Sequence, residues 1–141
     1  MTFSKTFIFA LSAIILSACA PRNTTHYFSI DEALQSPAAA NVLNSNVKLY
    51  FGKQAPGKVL KSDLVSNRKT NAANKDDKEA CEWAFLSAVR SFQDRAQSMG
   101  ATKVGNLISY YKKNPYKSTT QFECHAGHLI GGVALKGDIV K

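Results

Sequence analysis

Residues 76–108, DDKEACEWAFLSAVRSFQDRAQSMGATKVGNLI, spell a long amphipathic helix, a glycine stop and a buried strand. Asp76 and Glu79 have the spacing of a capping box, in which the first side chain accepts from a backbone N–H three residues on. The acidic cluster Asp76, Asp77 and Glu79 also suits the positive end of the helix dipole. Cys81, Ala84, Phe85, Ala88, Val89, Phe92, Ala96 and Met99 recur at steps of three and four, which places them on one apolar stripe. Glu82, Arg90, Asp94, Arg95 and Ser98 fall largely off it, and Trp83 sits at its edge. Gly100 predicts a left-handed stop. Val104, Leu107 and Ile108 then begin a strand.

The flanking chain reads as short elements. Ser29 and Glu32 form a second capping-box pattern, starting a brief helix through Leu34. Ser36 caps another that opens on Pro37 and runs to Leu43. Ile30, Leu34, Val42 and Leu43 would face inward. Residues 47–51 alternate like a strand, and Gly52, Pro56 and Gly57 end it. Residues 59–65 predict a second strand with Val59 and Leu64 buried. Residues 67–75 show no apolar period and read as a loop. A strand over residues 104–111 leads to a basic hairpin loop, residues 112–118, where Pro115 stops pairing. Residues 122–135 read as one last long strand, with Gly131-Gly132 marking a bulge or close packing on the helix. The expectation is an α+β domain over residues 29–141: a small, mostly antiparallel sheet packed against one long helix, with short N-terminal helices.

The chain has 141 residues, enough for one domain with a modest core. Its formal charge of +8 favours anionic partners: nucleic acid, lipid headgroups, lipopolysaccharide or acidic proteins. Charge does not choose among them, but the first residues carry an address. After Lys5 comes an apolar run, residues 7–16, followed by small residues. That is the pattern of a secretory signal, too short to span a bilayer as a lone helix. Leu16-Ser17-Ala18-Cys19 resembles the lipobox of bacterial lipoproteins. The resemblance implies cleavage after residue 18 and lipidation of Cys19. Ala20, in place of the aspartate that holds enterobacterial lipoproteins at the inner membrane, implies the outer membrane, periplasmic face. Residues 1–18 are then the signal and residues 19–28 a lipidated tether, of which residues 20–27 read as polar and loose. Removing the signal takes away only one charge, Lys5, so the basic surplus persists.

An oxidising compartment favours disulfides. With Cys19 as the lipid site, Cys81 and Cys124 are expected to pair. Ala96-Gln97-Ser98-Met99-Gly100-Ala101, Val104-Gly105 and Gly131-Gly132-Val133-Ala134-Leu135-Lys136 carry a further likeness. Together with the order of elements, they resemble a group of small bacterial domains. That group includes the RcsF-type stress lipoproteins and the YbjQ-like domains, named for heavy-metal binding. The RcsF side has a disulfide from helix start to last hairpin, which implies the same Cys81–Cys124 pair. Its second disulfide and long proline-rich tether have no counterpart here. The longer pattern also resembles short secreted proteins labelled excinuclease-like, although no G-x-x-x-x-G-K-[ST] phosphate loop is present.

Among candidate sites, Cys81, Cys124, His125 and His128 form a rival metal set. Strand alternation puts Cys124 and His128 on one face and His125 on the other, and zinc needs reduced thiolates. Lys112, Lys113 and Lys117 with Tyr116, beside Tyr110 and Tyr111, form a possible basic patch for lipid phosphates or an acidic envelope partner rather than nucleic acid. Its plainer reading is a solvated loop. His26 falls in the expected tether, and no catalytic set, metal or cofactor is implied. These readings converge on a non-enzymatic envelope lipoprotein acting in binding or stress sensing. The alternatives are a metal- or small-ligand-binding module, or a structural lipoprotein that binds lipopolysaccharide or an outer-membrane protein.

Overall fold

The computed structural model describes residues 21–141. The expected signal, residues 1–18, and the expected lipid site Cys19 lie outside the described residues. In chain order the elements are β1 (Thr24–Ser29), α1 (Ile30–Gln35), α2 (Pro37–Val42), β2 (Lys48–Phe51), β3 (Val59–Asn71), α3 (Asp77–Ser98), β4 (Lys103–Ser109), β5 (Gln121–Ala126) and β6 (Ile130–Val140). One long helix lies against a curled six-stranded sheet, so the fold is α+β. The sheet is antiparallel except where β2 joins β4 in parallel.

α3 begins as its sequence dictates. Asp76 accepts from the Glu79 N–H at 2.7 Å, and Gly100 follows the helix with φ +69°. The stripe is buried from Cys81 to Ala96, and Met99 at its end is half-buried. Ala80, Leu86 and Gln93 join it. Gln93 is the polar exception, and its amide explains why it can be buried. Its Oε1 accepts from Asn44 N–H at 2.8 Å, while Nε2 donates to the carbonyls of Asn44 and Val47 at 2.9 and 3.0 Å. These bonds pin the turn after α2 to the helix. The short helices are capped as expected, Ser29 accepting from Glu32 N–H and Ser36 from Ala39 N–H, both at 3.2 Å.

β6 is the spine of the sheet. β3 pairs with it along one edge, from Asn71↔Ile130 to Val59↔Val140. Its other edge is shared: β5 takes Gly131 and Gly132, and β4 takes the rest. The sheet therefore forks, one arm running through β5 to β1 and the other through β4 to β2. Where β5 leaves β6, the Glu123 N–H donates to the Ser109 hydroxyl at 2.9 Å, which accounts for a buried serine at the fork. Gly131 lets α3 come close, since a Cβ there would lie 3.1 Å from the Ala80 methyl. Phe85 of α3 stacks on Phe122 of β5 with centroids 4.1 Å apart. Burying each such side chain contributes roughly 1.5–3 kcal/mol.

Five sequence expectations are corrected. The expected loose tether holds a strand: β1 pairs with β5 over six residues, from Thr24↔Ala126 to Ser29↔Gln121. Its TTHYFS sequence lacks a strongly apolar face because that face is only half-buried. β3 runs on to Asn71 through residues read as a loop; its polar, lysine-bearing end suits an edge strand. On β3 Val59 is half exposed rather than buried, while Leu64 packs against the core as expected and Leu60 joins it. The single last strand is two, folded at Gly127, whose N–H donates to the Ile130 carbonyl at 2.8 Å. The basic loop is not a hairpin between β4 and β5, because both run antiparallel to β6. It is an arm that turns at Tyr111–Lys113 and returns through the Ser109↔Tyr116 bridge.

Candidate binding cleft beside the N-terminal strand

Cys81 and Cys124 are bonded, S–S 2.06 Å, joining the first turns of α3 to β5. The bond consumes both thiolates, so the four-residue metal set built on them is not available. His128 lies beyond β5 in the hairpin turn, and His125 lies on the far face of the sheet from Cys124. Among the described residues no group of three or more His, Cys, Asp or Glu side chains is arranged to hold a metal ion.

The fork and the β5–β6 hairpin create an open cleft of about 420 Å³. One wall is the start of the described chain, Pro21 to Asn23; another is Tyr111 and His125; the rim is Lys69 and the hairpin tip His128-Leu129-Ile130. Asp77, in the first turn of α3, fixes the first wall. It accepts two hydrogen bonds from Arg22, at 2.7 and 2.8 Å, and approaches His26 Nε2 at 2.8 Å. Arg22 also donates to the Gly127 carbonyl at 2.8 Å, tying β1 to the hairpin. The Arg22 hydrogen bonds hold the Asp77 carboxyl well below the usual carboxylate range, and the same contact raises Arg22. His26, expected in a tether, is thus a structural residue of β1 and stacks on Phe28.

The second wall lies on the sheet face opposite α3. The His125 ring lies flat on Tyr111, centroids 3.5 Å apart and planes 13° off parallel. Thr25 Oγ1 is 3.3 Å from its Nδ1, and Glu123 Oε2 is 3.4 Å from its Nε2. A hydroxyl, an imidazole and a carboxylate fall in one row, an arrangement no linear motif announced. Both separations are long for hydrogen bonds, and Nε2 has no partner of good geometry. The row's effect is to hold the ring against Tyr111. The cleft therefore offers a flat aromatic wall, exposed aliphatic side chains at the rim, and the cation of Lys69.

The expected basic patch is divided. Lys112 and Lys113 occupy the arm tip with left-handed backbone, φ 50° and 63°, and Lys112 Nζ lies 5.6 Å from the Tyr111 ring centroid. Tyr116 packs on Tyr27 at 4.7 Å and donates to Gln121 at 3.2 Å. Lys117 lines a separate groove with Lys136, Asp63 and Asp138. Lys112 thus stands beside the Tyr111 wall of the cleft, whereas Lys117 shares its groove with two carboxylates. Trp83 is just over one-third exposed on α3. No family model, no curated protein and no solved structure matched the chain.

Proposed function

We propose that this chain is a lipid-anchored protein of the bacterial outer membrane that acts by binding or sensing, with the cleft as its contact surface. The observation that carries the reading is the Cys81–Cys124 bond, which uses the two cysteines left once Cys19 is assigned to lipid. Such a bond suits an oxidising compartment. The apolar run ahead of Cys19 supplies the export signal, and the basic arm and rim suit an acidic partner. Stress sensing of the RcsF type is the sharpest form of this proposal. Lys112 and Lys113, exposed at the arm tip, favour lipopolysaccharide or an acidic envelope protein over a neutral ligand. Intact-mass analysis of protein from native membranes tests the anchor: the expected mass is that of residues 19–141 plus acyl chains, and an unmodified Cys19 overturns it. Deleting the gene while following an envelope-stress reporter tests sensing: a lost response supports it, and an unchanged response removes it.

A further inference from the structure

Leu129 and Ile130 at the hairpin tip are 69% and 52% exposed, large aliphatic side chains left uncovered by the fold. They share the cleft rim with Pro21, which is two residues from Cys19. Two residues of extended chain span at most about 7 Å. A lipid on Cys19 thus enters the bilayer close beside these two side chains. Lys69 shares the rim, and Lys75 is fixed near the same end of β3, its Nζ donating to the Asn71 carbonyl at 3.0 Å. Asp77, the carboxylate beside Arg22, is already matched by that guanidinium. Exposed aliphatic side chains with a collar of cations are the chemistry that enters a phospholipid headgroup layer.

We propose that the hairpin tip Leu129-Ile130 is a second membrane contact, seated in the headgroup layer of an anionic phospholipid surface. It fixes the orientation of the domain on the bilayer. The inference rests on lipidation of Cys19. Under it the domain does not swing freely on its anchor: the end bearing the hairpin tip faces the membrane, and the far end of β3 points away.

The test uses full-length lipidated protein, purified in detergent and reconstituted into vesicles of phosphatidylethanolamine and phosphatidylglycerol doped with brominated lipid. Trp83 is replaced by Phe, and a single tryptophan is placed either at the tip (Leu129→Trp) or at the far end of β3 (Val59→Trp). Circular dichroism and a retained disulfide check folding. Vesicle flotation is read first. Protein that fails to float overturns both the anchor and the contact. Floating protein with at least twofold stronger quenching at position 129 than at position 59, reduced by Lys69→Glu with Lys75→Glu, supports the contact. Floating protein with equal or absent quenching at both positions overturns the tip contact and leaves the anchor standing.

Discussion

The two faces of the sheet are built on different principles. On the helix side Phe122, Cys124, Val133, Leu135 and Ile139 are sealed under α3 by apolar packing and the disulfide, and the buried amide of Gln93 on that helix is fully hydrogen-bonded. On the far side Glu123, His125, Lys136 and Asp138 alternate with them along β5 and β6, with Tyr27 of β1 beside Glu123, all half-buried or exposed. Ala134 and Val140 are buried on that side but lie outside the core cluster. Stability is concentrated on one face, and the other is left free to carry chemistry. Substitutions should divide accordingly.

The largest effect is expected from the disulfide. Replacing Cys81 and Cys124 with Ser should lower unfolding free energy by about 4 kcal/mol, the chain-entropy value for a sequence separation of 43. Urea denaturation of variant and oxidised protein measures it; a loss under about 1 kcal/mol would show that the helix face holds without its staple. Next, Gln93→Leu keeps the volume of the side chain but strands the Asn44 N–H and two carbonyls, and should cost about 2–3 kcal/mol. A neutral result would mean that water or backbone movement replaces those bonds.

Asp77→Asn should cost about 1–2 kcal/mol, less than a sealed pair because Arg22 and Asp77 are partly exposed. Its pH dependence has a definite sign. The folded carboxyl is more acidic than the unfolded one, so its stabilisation is fully present above the unfolded value. It declines as pH falls below the unfolded value and is gone once pH has passed through the depressed folded value, well below the usual carboxylate range. Wild type should therefore lose stability relative to D77N on strong acidification, and the two urea midpoints should converge. Midpoints that stay equally far apart would show that ionisation of Asp77 contributes nothing. The smallest effect belongs to the far face: His125→Ala removes one stacked pair and should cost about 1 kcal/mol or less. A loss matching that of Gln93→Leu would erase the distinction between the faces.

What the sequence revealed tracks where each element draws its instructions. α3 and the two short helices are specified locally, by Asp76, Ser29 and Ser36 as caps and by a stripe with helical period, and they were legible. β1 and the outer half of β3 are edge strands whose partners are distant in sequence; their own residues are polar and carry no alternation to read. The split at Gly127 was marked only by a glycine that Arg22 crowds, its carbonyl 2.9 Å from where a Cβ would stand. The cysteine pair was anticipated through the compartment. The cleft was not, since it assembles residues 21–23, 69, 111, 125 and 127–130 through cross-strand pairing alone. Asp77 looked like one more acid at a helix start, and the spacing of the stripe did not single out Gln93.

The clamp of Arg22 on Asp77 has a mechanical consequence. Any tension on the chain ahead of Pro21 enters the domain at that guanidinium and passes into the first turn of α3, four residues before Cys81. From there the sulfur bridge passes the load to β5, the strand on which β1 itself is laid. The pulled end and the braced end thus meet in one closed loop of chain, so a tug at the amino terminus is resisted by the part of the molecule that the disulfide cross-links.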